Sequence, residues 1–158
     1  MGTGDSDLVQ KATNKPVLEI QEPGRRLSPF DDYLEFSLTY AQLKDLFANE
    51  EAHREWRARR SAVGGIYLIL AETSGDLYVW SASGEEGIWG RWRQYAISGD
   101  AGNSLLRELI KRDPGYPDRF RFSLLQILPK TIARDEILRR EVLYKAKLGS
   151  RAKGLNLN

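Results

Sequence analysis

The sequence predicts an α+β fold in which three strands and three helices follow one another as β-β-α-α-β-α, behind an N-terminal arm that turns helical in its second half. Two observations carry this reading. Strand-like apolar runs at 66–71 and 77–82 flank Thr73-Ser74-Gly75-Asp76, a turn sequence that joins antiparallel neighbours. Helical patterns then occupy 88–97, 104–112 and 132–148, broken by one further strand-like run at 119–128.

Residues 1–16 are polar and unpatterned and read as a disordered lead-in or a cloning remnant. The arm spans 17–62. Val17-Leu18-Glu19-Ile20 is a short strand candidate before the Pro23-Gly24 turn, and the alternation of apolar and polar residues at 33–38 makes a second. Thr39 with Gln42 fits a capping box, and Leu43, Leu46 and Phe47 make the apolar stripe of the helix it opens. A second helical piece at 50–60 carries Arg54, Arg57, Arg59 and Arg60. The arm is expected to pack against the rest of the chain rather than to fold alone. The domain proper spans 63–158. Ile88, Trp92, Tyr95 and Ala96 share one side of its first helix. Asn103 caps the second helix, and Asp113-Pro114-Gly115-Tyr116-Pro117 stops it. Pro129 closes the third strand, Thr131 caps the last helix, and Gly149 suits the position just past its end.

Of 158 residues, 41% are apolar and 29% charged, enough for one core and a solvated surface. No run approaches the roughly 18 apolar residues needed to span a bilayer. Met1-Gly2-Thr3-Gly4-Asp5-Ser6-Asp7 lacks the basic start and apolar stretch of a secretion signal. A cytoplasmic protein with no membrane partner is therefore expected. The absence of cysteine excludes disulfides and thiolate metal sites, so a metal would be a hard ion on oxygen ligands. His53, the single histidine, lies in a charged helix with no visible partner and is assigned no role. The net charge is only +2, but Lys130 to Lys153 holds eight basic residues against three acidic ones. Such a stretch draws in a polyanion or is simply a solvated helix face.

With the hairpin turn centred between Ser74 and Gly75, Tyr78 pairs with Ala71 and Tyr67 with Ala82. Tyr67, Ile69 and Ala71 then share a face with Tyr78, Trp80 and Ala82. Two phenols on one face can flank a phosphate, although strand tyrosines are also commonly half-buried without a role. Glu141 shares a helix face with Ile137, Leu138, Tyr144 and Leu148. A carboxylate in an apolar stripe needs compensation, which metal ligation or a salt bridge to a core-edge arginine would supply. Arg91 offers a planar fork for two phosphate oxygens, with Tyr95 one helical turn later on the same face; an ordinary surface arginine is the plainer alternative. Trp89 and Trp92 can stack on bases but read better as core. Glu85-Glu86 reads as a solvated pair.

The ordered set resembles the GIY-YIG family of metal-dependent nucleases. Gly65-Ile66-Tyr67, a ten-residue gap, Tyr78-Val79-Trp80, an arginine in the next helix, a glutamate in a later one and an asparagine near the end all follow that pattern, over Val63 to Asn158. The run Ser81-Ala82-Ser83-Gly84-Glu85-Glu86-Gly87-Ile88-Trp89-Gly90-Arg91 is similar to a bacterial subgroup whose members carry an upstream region. The resemblance implies a small, mostly antiparallel three-stranded sheet flanked by helices. It also implies an endonuclease that hydrolyses DNA phosphodiester bonds with Mg²⁺ or Mn²⁺, in bacterial restriction, repair or defence. DNA is the implied partner, single- or double-stranded, and the arm offers a contact for an upstream domain or protein. Tyr67 and Tyr78 would line the site, one of them helping to deprotonate the attacking water. Arg91 would contact the scissile phosphate, Glu141 would ligate the metal and Asn156 would support the site. Tyr95 stands where many members have histidine. Trp80 departs from the family, which has glycine there. It implies a natural variant with altered substrate preference, a site that binds nucleic acid without cutting, or an engineered change.

Overall fold

The structure is a computed structural model that describes residues 34–61 and 63–150. Its elements are β1 (Ser37–Thr39), α1 (Tyr40–Ala48), α2 (Arg54–Ser61), β2 (Val63–Ala71), β3 (Asp76–Ala82), α3 (Gly87–Ser98), α4 (Ser104–Arg112), a 3₁₀ turn (Tyr116–Arg119), β4 (Phe120–Pro129) and α5 (Arg134–Leu148). The fold is α+β. The strands form one antiparallel sheet in the order β1-β4-β2-β3, with helices against it. The expected strand at 17–20 and Asn156 lie outside the described residues.

Among the described residues the sheet has four strands, not three. The fourth is β1, from the segment expected to be an arm, and it pairs Leu38 with Phe122 of β4. It overlaps the C-terminal end of the strand candidate read from the alternation at 33–38, shifted to Ser37–Thr39. The capping box forms as expected: Thr39 Oγ1 accepts from the Gln42 N–H, and Gln42 Oε1 accepts from the Thr39 N–H. Asn103 Oδ1 likewise accepts from the Leu106 N–H and opens α4, and Gly149 ends α5 with φ +70°. Thr131 does not cap α5. The N-cap position belongs to Ala133, which has no side-chain oxygen to offer.

The hairpin register differs from the expected one by two residues. Tyr67 lies opposite Trp80 and Ile69 opposite Tyr78, while Glu72 to Gly75 form a four-residue turn with Gly75 at φ +76°. Strands alternate with a period of two, so this shift leaves every side chain on its expected face. On one face Tyr67, Ile69 and Ala71 meet Tyr78 and Ala82 of β3 and Phe120, Phe122 and Leu124 of β4. Phe36, Leu43, Leu46, Trp56, Trp89, Trp92 and Leu106 close over them. On the other face Ile66, Val79 and Leu128 pack against Ile137 of α5.

The core is rich in rings. Trp92 lies 5.7 Å from Phe122 and 6.2 Å from Tyr67, and Tyr95 lies 5.5 Å from Phe122, all edge-on. Such contacts fix ring orientation beyond what area burial alone would do. Trp89 and Trp92 are therefore core. His53 is also buried, with Nε2 3.6 Å from Asp45 Oδ2. That partner is invisible in the sequence pattern because Asp45 lies on the preceding helix.

β2 and β4 approach closely where β4 bulges beside Ile66 and Tyr67. A Cβ on Gly65 would sit 2.3 Å from the Gln126 carbonyl oxygen, which is backbone and cannot swing aside. Gly65→Ala is therefore expected to destabilise the fold by about 1–3 kcal/mol, as overpacking does. Urea unfolding reads this directly, and an unchanged midpoint would contradict the close approach.

Candidate functional site

β3 is an edge strand, with α3 against one face of the sheet and α5 against the other. A cleft of about 370 Å³ lies along this edge, and side chains from both faces reach it. Its lining includes Tyr67 from β2, Trp80 and Ser81 from β3, Arg91 and Tyr95 from α3, and Glu141 from α5. Four of the residues singled out from sequence thus meet: Tyr67, Arg91, Tyr95 and Glu141. Tyr78 does not line the cleft. Its buried hydroxyl lies 2.7 Å from that of Tyr116, which donates to Asp76 Oδ2 at 3.3 Å. The two phenols at the cleft are Tyr67 and Tyr95, whose hydroxyls are 3.0 Å apart.

α3 positions its pair by simple periodicity, because Arg91 and Tyr95 are one turn apart. Trp89 and Trp92 anchor the inner side of the helix in the core, which turns Arg91 outward. Arg91 is exposed, and among the described residues it has no ion-pair partner. The loop leading into α3 is pinned at both ends of a short path: the Gly84 N–H donates to the Lys130 carbonyl at 3.0 Å, and Lys130 Nζ donates to the Glu85 carbonyl at 3.3 Å. The Glu85 and Glu86 side chains are solvated.

Glu141 is 7% exposed and its two oxygens have separate partners. Ser81 Oγ donates to Oε2 at 2.6 Å, and Lys145 Nζ donates to Oε1 at 2.8 Å. The counter-charge is thus a lysine one turn along the same helix, not an arginine. Lys145 is fully buried. The buried line along α5 runs Ile137, Glu141, Lys145, while Leu138 and Leu148 are 38% and 37% exposed. The expected apolar stripe is rotated because the ion pair, not the leucines, faces the sheet. Sequence reasoning missed Ser81, Lys145 and the cleft-lining Arg134. The four-residue spacing of Glu141 and Lys145 was a usable signal for a helical ion pair.

Burial, with the neighbouring Tyr95 adding to it, holds the Tyr67 hydroxyl well above its ordinary pKa of 10.0; Arg91 pulls the other way, and Glu141 adds to the rise. Burial raises Tyr95 and Tyr78 as well. All three phenols are neutral near pH 7, so none serves as a ready phenolate base. A raised folded-state pKa means that the protonated form is favoured by folding. The resulting stability is complete below the unfolded value near pH 10 and is lost as pH rises above it. Each phenol is expected to contribute a loss of about 1.4 kcal/mol per pH unit above that point. Unfolding midpoints measured between pH 9 and 11 check this, and Tyr78→Phe should make the decline shallower.

Among the described residues no three His, Asp or Glu side chains cluster. A divalent ion at the cleft would have the Glu141 carboxylate, whose oxygens each keep a second lone pair, and the Ser81 hydroxyl beside it. This all-oxygen set suits Mg²⁺, which keeps several waters and binds through one or two carboxylates together with phosphate oxygens. Arg91 and Arg134 line the cleft, and the single acid among its lining residues, Glu141, is already paired with the buried Lys145, so the cleft favours an anionic ligand. Among the described residues no helix is long and apolar enough to cross a membrane. Comparisons with protein-family models, curated proteins and solved structures found no match to this chain.

Proposed function

We propose that this chain is a divalent-metal-dependent endonuclease of GIY-YIG type that hydrolyses DNA phosphodiester bonds. The observation that supports it is the meeting of Arg91, Glu141 and the Tyr67–Tyr95 hydroxyl pair in one cleft. Tyr67, the Arg91–Tyr95 pair and Glu141 are far apart in sequence and come from β2, α3 and α5. Arg91 brings an unpaired fork to two phosphate oxygens and adds fixed positive charge where negative charge grows in the transition state. Of the two phenols, one donates to the other, which leaves one hydroxyl proton and further lone pairs for a phosphate oxygen or the attacking water. Because both phenols are neutral, they orient rather than abstract. Glu141 would hold the ion, with Ser81 and Lys145 fixing its rotamer. When bound, Mg²⁺ or Mn²⁺ polarises a phosphate oxygen and stabilises the departing 3′ oxygen. A setting in bacterial restriction, repair or defence, in the cytoplasm and alongside an upstream domain or partner, belongs to the same proposal.

The test is incubation of the purified protein with plasmid and with single-stranded DNA, with and without Mg²⁺. Metal-dependent nicking that Arg91→Ala removes supports the proposal. No cleavage under any condition, or cleavage indifferent to Arg91→Ala, rejects it. A second reading is favoured by one observation: Lys145 already neutralises Glu141. On that reading the cleft binds nucleic acid without cutting it. Salt-sensitive retention of DNA with no product in either Mg²⁺ or Mn²⁺ would select it.

A further inference from the structure

We propose that Trp80 is a stacking platform for an unpaired base, and that the cleft therefore takes single-stranded nucleic acid in preference to a duplex. The inference rests on the reading of the cleft as a phosphodiester site and names its substrate class. The chain has four tryptophans. Trp56, Trp89 and Trp92 are core residues at 2%, 2% and 1% exposure, whereas Trp80 is only partly buried and lines the cleft. One side of its indole is already used: the Tyr78 ring lies 5.5 Å away at an interplanar angle of 10°, a parallel stack. Tyr78 is itself held by the Tyr116 hydroxyl, so the indole is braced before any ligand arrives. A braced, partly exposed indole beside Arg91 and Glu141 offers a nucleobase an aromatic surface within reach of a phosphate on the same strand.

Duplex geometry argues for the single strand. A paired base has both faces covered by its neighbours and presents only its edges, so an aromatic face can be used by an unpaired or extruded base alone. The path beyond the cleft fits as well. A second groove of about 370 Å³ shares Ser83 and Arg91 with the first and runs along the outer side of α3 past Arg93 and Gln94. A strand with one base on Trp80 thus meets Arg91 at the junction and Arg93 beyond it, two guanidiniums against the single carboxylate of Glu86 in that groove.

The experiment uses the full chain in metal-free buffer with EDTA, so that binding is read without cleavage. The probes are a single-stranded thymidine oligonucleotide, a blunt duplex of equal length and an abasic single strand. Trp80 is the one partly exposed tryptophan, so acrylamide quenching reports on it. The expected result is shielding of Trp80 by the thymidine strand, with none by the duplex or the abasic strand. Trp80→Ala should weaken thymidine-strand binding by roughly 5- to 150-fold, the range of one base–aromatic stack, and leave abasic-strand affinity unchanged. Trp80→Phe should retain an intermediate affinity, which guards against a folding defect. Equal affinities for all three probes, or equal losses on all three with Trp80→Ala, would overturn the proposal. Metal-dependent cleavage that persists alongside that result leaves the hydrolase reading standing. Shielding without any cleavage fails that reading and keeps this one.

Discussion

Arg91→Ala is expected to leave the protein folded and to slow the proposed Mg²⁺-dependent DNA cleavage by about 10²–10³-fold, the usual loss when one fixed donor to a developing oxyanion is removed. Both halves of that expectation follow from its surroundings. The guanidinium is exposed and among the described residues holds no ion pair, so its removal breaks nothing that stabilises the fold. It lines the cleft one turn from Tyr95, so its removal takes positive charge from the place where a phosphate would sit. Thermal melts and a nicking assay on the same preparation check the two halves together. Arg91→Lys keeps the charge but loses the fork and should recover only part of the rate. A variant that melts like the parent and cuts at the parental rate would remove Arg91 from the mechanism.

Lys145→Met is expected to destabilise the protein by about 3–5 kcal/mol, the cost of leaving a buried charge without its partner. The ammonium is fully buried and 2.8 Å from Glu141 Oε1, and Ser81 alone cannot neutralise the carboxylate left behind. Replacing both partners, Lys145→Met with Glu141→Leu, should restore most of the loss, since buried ion pairs are often matched by apolar residues of similar volume. Urea unfolding of the two single variants and the double variant completes the cycle. Mg²⁺ adds a further readout. If Glu141 ligates the ion, Mg²⁺ should raise the midpoint of Lys145→Met more than that of the parent, because the ion then supplies the missing positive charge. Glu141 variants lack the clean separation that Arg91 allows, because they break the buried Glu141–Lys145 pair and so disturb fold and chemistry together.

Local signals in the sequence were reliable where one residue makes the structure, with Thr131, two residues short of the N-cap of α5, as the exception. Thr39 with Gln42, Asn103 and Gly149 each act within four residues of themselves, and each does what its chemistry suggests. The hairpin was legible, but its register was not, because turn residues tolerate more than one loop length. The face assignment survived only because the error was even. Long-range pairing was illegible. Nothing adjacent to Ser37 announces Ser123 as its partner, and nothing near Ser81 announces Glu141. α5 misled for a different reason: a lysine normally reads as solvent and a leucine as core. Here Lys145 is buried and Leu138 exposed, because Glu141 needed a positive neighbour beneath it. The site was half legible for the same cause. Arg91, Tyr95 and Glu141 are placed by helix periodicity, whereas Tyr78 was diverted by Tyr116, a residue from a turn 38 positions later.

The strand Ser37–Thr39 and the helix after it have an anatomical consequence. Phe36 touches Trp56 at 5.1 Å and Trp92 at 6.1 Å, and Leu38 lies fully enclosed against Phe122. These are the flooring under Tyr67 and Tyr95. A fragment starting at Val63 would hold every residue of the cleft yet stand on an unsupported foundation, with the outer margin of β4 left bare for another polypeptide to annex. Ownership of the working groups and the capacity to keep them in place are divided here between two stretches of chain.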